Sequence, residues 1–231
     1  MRKLPVLILI LATTVLAYDE ADLIKLEATL QCERCDLSGA NLNKAFLSEA
    51  NLTGTNLSKA NLAGANLREA NLFKANLREA NLTGANLSKA NLSEAKLFDT
   101  NLSFANLRFA NLTKAKDINI LHGAKLGHAN LSNAQLPLAD LTKAELTNTK
   151  FTGANMMMVN LSEANLREAS LALVFLSGAN VDGANFYDVS FFRANLKNID
   201  FTKASSIKKV NLKQAKFCKT KMPWGELNDN C

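Results

Sequence analysis

Four cysteines are the side chains of this sequence whose type and spacing most clearly suggest chemistry. Cys32 and Cys35 form a Cys-x-x-Cys motif, a spacing used by thiol–disulfide oxidoreductases. Cys218 and Cys231 lie near the opposite end of the chain. The spacing alone leaves three interpretations of Cys32 and Cys35 open: a structural disulfide, a redox-active thiol pair, or two free thiols.

The two histidines do not indicate a catalytic or metal centre. His122 and His128 are six residues apart and lack neighbouring carboxylates, so they are better interpreted as surface residues than as metal ligands. The serines and threonines have no partner base, and no glycine-rich phosphate loop follows a strand–helix pattern. We therefore predict no catalytic, cofactor-binding or metal-binding residue, and a protein that is not an enzyme.

Most of the sequence repeats with a period of five residues, and the structure built from this repeat must position the side chains named above. Leucine occupies every fifth position from Leu37 to Leu112, sixteen times in succession, and the residue two places earlier is alanine in thirteen of these units. The period matches neither a helix nor an extended strand. It suits a chain that runs a short extended stretch, turns and repeats, with four such sides closing one turn of about twenty residues.

The unit Ala-Asn-Leu-x-x, for example from Ala80 to Gly84, resembles the pentapeptide-repeat family. The resemblance covers about Cys35 to Phe217 and implies an all-β fold, a right-handed quadrilateral β-helix. A disordered low-complexity tract would not keep apolar residues in phase for so long. About nine turns would give a rod roughly 40 Å long.

The length of such a rod limits how the cysteines can pair. A bond between the two ends would have to span roughly 40 Å, whereas bonded cysteines have Cα atoms within about 7 Å. The predicted disulfides are therefore Cys32–Cys35 and Cys218–Cys231, and a four-cysteine zinc site is excluded. Cys35 falls on an inward small-residue position, which favours a structural bond, with an active or free thiol pair as the alternatives.

The first seventeen residues differ in character from the repeats. Arg2 and Lys3 precede an apolar run from Leu4 to Ala17, and this pattern predicts a secretory signal peptide over residues 1–17. The run is shorter than the about 20 residues of a membrane span. Its removal lowers the formal net charge from +6 to +4. Export to an oxidising compartment also favours disulfides.

One elongated domain accounts for the rest of the chain. Residues 18–34 are predicted to hold a short capping helix, from Asp19 to Gln31, in which Asp19 and Asp22 make a weak capping pair. A cap is expected because the first turn of a solenoid otherwise leaves its apolar interior open.

The repeats are predicted to span residues 35–221, with phase breaks near residues 115–118 and 204–209. The first break is a unit one residue short, and the second is a unit one residue long. Residues 222–231 are predicted to form a C-terminal capping tail in which Trp224 covers the last turn.

Several outward positions that should stack on one side of the rod are apolar. The possible partner-binding residues are Phe98, Leu138, Met157, Met158, Leu173 and Phe175. A contiguous exposed apolar surface can mark an interface, so we predict that another protein, or a second copy of this chain, docks here. Chance placement in a tolerant repeat is the alternative interpretation.

A second surface feature is a run of lysines without an intervening acidic residue. The possible basic patch consists of Lys203, Lys208, Lys209, Lys213, Lys216, Lys219 and Lys221. Such a patch could make weak contact with an anionic membrane surface or an acidic protein, and a solubilising rim is the alternative. Nucleic acid is not a predicted partner because no aromatic residues alternate with the lysines. No small-molecule substrate is predicted.

The stretch from Leu26 to Leu42 resembles lumenal pentapeptide-repeat proteins of cyanobacteria and plastids, which implies a thylakoid lumen or periplasm. We predict an exported, non-enzymatic structural or protein-interaction scaffold. The alternative hypothesis is a thiol/disulfide-dependent redox or assembly factor that uses Cys32 and Cys35.

Overall fold

The structure is a computed structural model that describes residues 18–229 and residue 231. The predicted signal peptide, residues 1–17, lies outside the described residues. Within the described part of the chain, no helix has the length and apolar character needed to cross a membrane.

The repeats wind into a four-sided tube whose regular coils contain twenty residues each. Single parallel β bridges join corresponding residues of successive coils, as in Asn61↔Asn81 and Asn81↔Asn101. The N–H of Leu62 donates to the carbonyl of Asn81 over 2.7 Å, one of many such bonds along the tube. We number the sides one to four by the leucines of the second complete coil: Leu57, Leu62, Leu67 and Leu72.

A β-turn forms the corner at the end of each side. The carbonyl of Leu62 accepts a hydrogen bond from the N–H of Ala65 over 3.0 Å, and Gly64 between them has a φ of +64°. A positive φ at this place matches a type II turn. Many corners hold an ordinary residue there, such as Lys59 at +59°. Since this conformation costs about 1–2 kcal/mol for a residue with a Cβ, the stacked hydrogen bonds must hold the corner.

The asparagine before each leucine supports the corner and links adjacent coils. Asn91 Oδ1 accepts hydrogen bonds from the N–H and the hydroxyl of Ser93, at 3.2 and 2.6 Å. Asn91 Nδ2 donates to Oδ1 of Asn71, one coil earlier, over 3.1 Å. An asparagine that bonds to the backbone two residues on is a standard turn former, which explains why this residue recurs.

Leucine and alanine fill the interior, as the five-residue period predicts. Leu62 and Ala65 are fully buried, and so are their equivalents in the next coils. The interior becomes aromatic towards the C-terminal end, where the rings of Phe186, Phe191 and Phe201 lie 5.4 to 5.8 Å apart. Tilted and edge-on ring pairs of this kind stabilise a core beyond the area that they bury.

In the described part of the chain, four buried threonines take the place of the inward alanine: Thr55, Thr100, Thr149 and Thr220. Each hydroxyl donates to a backbone carbonyl of the preceding coil. Thr100 Oγ1, for example, donates to the carbonyl of Leu77 over 2.6 Å. The polar atom therefore enters the interior without an unsatisfied hydrogen bond.

Helix α1, Glu20–Thr29, covers part of the N-terminal end of the tube. Asp19 is its N-cap and accepts hydrogen bonds from the N–H groups of the first turn. Leu26 is buried against the first coil. The helix is shorter than the predicted span because Leu30 adopts a left-handed conformation, with a φ of +57°, and ends it.

The ladder begins earlier than the predicted boundary at residue 35. Gln31 pairs with Asn51, and Cys32 occupies the buried position that leucine holds in later units. The N–H of Asp22 donates to the Asp19 carboxylate over 3.4 Å, one half of the predicted capping pair. The Asp22 carboxylate accepts a hydrogen bond from the N–H of Asp36 over 2.7 Å. The cap and the first coil are thus joined by a polar contact as well as by apolar burial.

Two irregular coils coincide with the two predicted phase breaks. The bridge Asn101↔Ile120 spans nineteen residues, and the bridge Asn185↔Ser206 spans twenty-one. At the first break, Ile118 is buried in place of the missing leucine.

The C-terminal end carries a small antiparallel hairpin made of β1, Thr220–Met222, and β2, Gly225–Leu227. Met222 is buried against the last coil, whereas Trp224 is 58% exposed. Trp224, expected to cover the last turn, borders a recess with Ile207 of the last coil and covers it only in part. Met222 lies on a strand that pairs with the preceding coil, and Trp224 lies in the turn between the two strands.

Candidate functional site: an apolar stripe and two cysteine pairs

The first cysteine pair lies inside the tube at its N-terminal end. Cys32 and Cys35 are joined by a disulfide with Cα atoms 5.3 Å apart, and both are buried. An oxygen of Asp22 lies within 4.8 Å of the two sulfurs. In this oxidised form neither sulfur is a thiolate, the form that binds metals and attacks disulfides. The bond closes the first corner of the tube, between two residues of the first coil.

The second pair closes the C-terminal tail onto the last coil. Cys218 and Cys231 are joined by a disulfide with Cα atoms 4.8 Å apart. The enclosed segment contains β1 and β2. The hairpin is therefore held at both ends.

The two histidines lie against aromatic rings of the preceding coil. The rings of Phe109 and His128 stack with centroids 4.9 Å apart and planes 4° apart, and Phe104 meets His122 edge-on at 5.4 Å. Phe104 and Phe109 are exposed residues that sequence reasoning missed. Counting nineteen residues back from His128, across the short unit, would have found Phe109.

All six predicted partner-binding residues are exposed, and the structure brings most of them together along side one. We call this set the apolar stripe: Phe98, Leu138, Met157, Met158, Leu173 and Phe175. The N–H of Leu138 donates to the carbonyl of Met157 over 2.9 Å, so these residues occupy adjacent coils. Phe175 pairs with Asn155 on the same side. Leu173 lies one corner away.

A depression of about 270 Å³ lies in the apolar stripe at the short coil. It is lined by Phe98, Pro137 and Leu138 together with Asp117 and Asn119. Asn119 Nδ2 donates to Asp99 over 2.7 Å. Asn119 Oδ1 is buried and has no hydrogen-bond partner among the described residues. The depression thus combines apolar walls with the polar residues Asp117 and Asn119.

Arg78, one coil earlier, lies beside the N-terminal end of the apolar stripe and packs its guanidinium over the Phe98 ring. The guanidinium lies 4.9 Å from the centroid of this ring. A cation over an aromatic face is attracted to it. The ring is therefore held in place at the edge of the depression.

The seven predicted basic residues are all exposed, but they lie on all four sides of the last coil and form a ring. Lys203 pairs with Asp182 at 3.5 Å, and Lys221 pairs with Asp200 at 3.8 Å. A hydrogen bond to the Tyr187 hydroxyl raises the pKa of Lys209. The positive charge is thus spread around the end of the tube and partly neutralised by acidic residues of the preceding coil.

Comparison with known proteins identifies the repeat and the fold. A family model described as pentapeptide repeats matches residues 31–68, 65–103, 75–113, 120–156, 160–198 and 176–205. Proteins of this kind are generally non-catalytic structural or interaction proteins. The predicted right-handed quadrilateral β-helix is confirmed. No curated protein matches the chain.

Several solved structures are similar to this chain. HetL, a pentapeptide repeat protein involved in heterocyst differentiation regulation from the cyanobacterium Nostoc sp. strain PCC 7120, is 29% identical, with 89% of this chain and 97% of HetL covered and a TM-score of 0.36. A pentapeptide repeat protein from the Arabidopsis thaliana thylakoid lumen is 34% identical over 46% of this chain and 68% of its own, with a TM-score of 0.30. QnrB1, a plasmid-mediated fluoroquinolone resistance protein, is 18% identical over 78% and 86% of the two chains, with a TM-score of 0.48.

Proposed function

The chain belongs to the pentapeptide-repeat family, and we propose that it is an exported, non-enzymatic scaffold that binds another protein through the apolar stripe. The observation that carries this proposal is the depression at the short coil. Its apolar walls, which include Phe98 and Leu138, meet the polar residues Asp117 and Asn119. An apolar site with a few polar groups is the usual form of a specific binding site.

The surface outside the apolar stripe is mostly polar, and this difference supports a binding role for the stripe. Along most corners the outward residues are polar or charged, and ion pairs such as Lys59–Glu79, at 3.7 Å, join adjacent coils. On side one, Leu138 and Met158 occupy corner positions that lysine and glutamate hold elsewhere. Because a contiguous apolar surface is uncommon on a soluble protein without a partner, these residues are best explained by a docking protein.

Export is supported by two independent features. The sequence of residues 1–17 has the pattern of a signal peptide, and four cysteines form two disulfides. Disulfides persist in oxidising compartments, and we propose the thylakoid lumen or the periplasm. Sequencing the N-terminus of the protein from its native compartment tests this, with Tyr18 expected as the first residue. A chain that starts at Met1 and labels fully with iodoacetamide would contradict export.

The alternative role as a thiol-dependent redox or assembly factor receives less support. Cys32 is fully buried and Cys35 is 3% exposed, whereas a reactive thiol must be reached by its substrate. The burial favours a structural role for this bond.

Site-specific crosslinking tests the docking proposal. A photoreactive amino acid placed at position 138 should crosslink to a defined protein in the native compartment, while the same group at position 143, a polar corner, should not. The double variant Leu138→Ser with Met158→Ser should abolish capture by a probe at position 98. The matched control, Phe104→Ser with Phe109→Ser, removes exposed apolar side chains from other corners and should leave capture unchanged. Equal capture by all these proteins would contradict the proposal.

A further inference from the structure

Among residues 18–229, helix α1 covers only part of the N-terminal end of the tube. In the second coil, the N–H groups of Asn61 and Asn66 donate to the carbonyls of Ala40 and Ala45. Their counterparts in the first coil, Asn41 and Phe46, have no backbone hydrogen bond to another described residue through either N–H or C=O. Helix α1 therefore leaves an open β edge on sides two and three.

A cavity of about 330 Å³ adjoins this open edge. Its walls combine apolar side chains with polar groups: Leu26, Leu30, Leu42, Leu47 and Phe46 lie beside Glu27, Asn41 and Asn43. The Phe46 side chain is 87% exposed. A cavity with an exposed aromatic side chain beside unpaired backbone groups has the properties of a site that receives another chain.

The opposite end of the tube carries a projecting aromatic residue on the same side. Trp224 borders a recess together with Ser206, Ile207 and Lys208. Side three connects the two ends, because an unbroken series of β bridges runs from Phe46 to Ser206. Trp224 at one end and the cavity at the other are therefore aligned along the tube.

The two ends also carry opposite charge. Residues 18–36 contain six acidic and two basic side chains, a formal charge of −4, whereas residues 201–231 contain seven lysines and two acidic side chains, a formal charge of +5. At the two aligned sites the charged residues are Glu27 and Lys208. Opposite potentials of this kind steer association and set its orientation.

We propose that copies of this protein associate head to tail, with Trp224 of one copy in the N-terminal cavity of the next. Lys208 then faces Glu27, and the open edge of the first coil meets the last coil of the neighbour. A heterologous contact of this type does not close on itself, so it extends into a filament of stacked tubes. The inference does not depend on the apolar stripe, which lies on side one.

The single tryptophan of the chain reports directly on this contact. Under non-reducing conditions, raising the protein concentration should shift Trp224 emission to the blue, and sedimentation velocity should show species that grow beyond dimers. High salt should reverse both changes because charge contributes to the contact. Phe46→Ser should reduce association and the emission shift together. Phe104→Ser, which removes an exposed aromatic far from both ends, is the matched control and should change neither.

A charge swap tests the orientation. Glu27→Lys and Lys208→Glu should each weaken self-association by about tenfold, through like-charge repulsion. Mixing the two variants, or combining both substitutions in one chain, should restore it. Circular dichroism should show that each variant keeps the fold.

Three outcomes would overturn the proposal. The first is a monomer at all concentrations, and the second is a closed dimer that does not grow further, which indicates a symmetric interface. The third is association that Phe46→Ser leaves intact, with no rescue in the charge swap.

Discussion

The ring of Phe104 lies against the backbone of Gly123 in the next coil: a Cβ built on Gly123 would come within 2.7 Å of Phe104 Cε1. Gly123 also has a φ of +61°, in the region that glycine adopts without strain. The short coil thus depends on a glycine for two reasons, its backbone conformation and the ring packed over it.

Gly123→Ala should lower the free energy of unfolding by about 2 kcal/mol, because left-handed strain adds to displacement of the Phe104 ring. Urea unfolding monitored by circular dichroism measures the change. Gly84→Ala is the matched control, since Gly84 has a φ of +65° and open space around its Cβ position. It should cost about 1 kcal/mol. In a Phe104→Ala background the difference between the two glycine sites should disappear, and a persistent difference would contradict this explanation.

Thr100→Val should destabilise the tube by about 1 kcal/mol, since it removes a buried hydrogen bond while keeping the shape of the side chain. The carbonyl of Leu77 keeps its bond from the N–H of Ala80, at 3.0 Å, so the loss is limited. Equilibrium unfolding checks the value. The same exchange at half-buried Thr83, whose hydroxyl donates to the side chain of Asn81 near the surface, serves as the control and should cost less. A cost above about 3 kcal/mol would show that packing, and not the hydrogen bond, is disturbed.

Acid should loosen the C-terminal end of the tube before the middle. The hydroxyl and N–H of Thr202 donate to the Asp200 carboxylate and lower its pKa from the ordinary value of 3.8. A lowered pKa means that the carboxylate stabilises the fold above pH 3.8, and this contribution disappears as the pH falls through the lower value of the folded state. Hydrogen exchange of residues 200–205 should accelerate in this range.

Asp200→Asn provides the matched comparison for the acid experiment. Asparagine accepts the same two hydrogen bonds at equivalent positions, as Asn91 does from Ser93, and it does not titrate. The variant should therefore stay protected at neutral pH and change little on acidification. If both proteins lose protection at the same pH, another carboxylate controls this end.

Removal of the Cys218–Cys231 bond should free the C-terminal hairpin. A loop of this length contributes about 3 kcal/mol by restricting the unfolded chain. The double variant Cys218→Ser with Cys231→Ser should therefore be cleaved by trypsin after Lys219 and Lys221 much faster than the parent protein. Cys32→Ser with Cys35→Ser, at the other end, should leave cleavage at these lysines unchanged. Equal protection of both variants would show that β1 and β2 hold the cap without the bond.

The interior could be predicted because every inward residue obeys the same constraint. A position such as Leu62 or Ala65 must fit a narrow tube, so its type repeats with the coil, and even the nineteen-residue coil was visible as a shift of phase. Outward residues obey no such rule. The contact of Phe109 with His128 depends on the length of the coil between them, and period alone does not reveal it.

The ends of the tube were also harder to predict, because their residues do not follow the five-residue repeat. Met222 and Trp224 are both large apolar residues near the last coil, and only the pairing of β1 with β2 decides which one turns inwards. The seven C-terminal lysines form a run in the sequence, but four corners distribute them around the end. These lysines are therefore further apart in space than their closeness in the sequence suggests.

The short and the long coil compensate each other. From Phe46 to Ser206 the chain takes eight steps, and their combined length equals eight regular coils. Each added coil lengthens the tube by roughly 4.8 Å and returns the chain to the same side. The number of coils therefore sets the distance between the groups that the two ends carry, in steps of twenty residues, while both groups stay on one side of the tube.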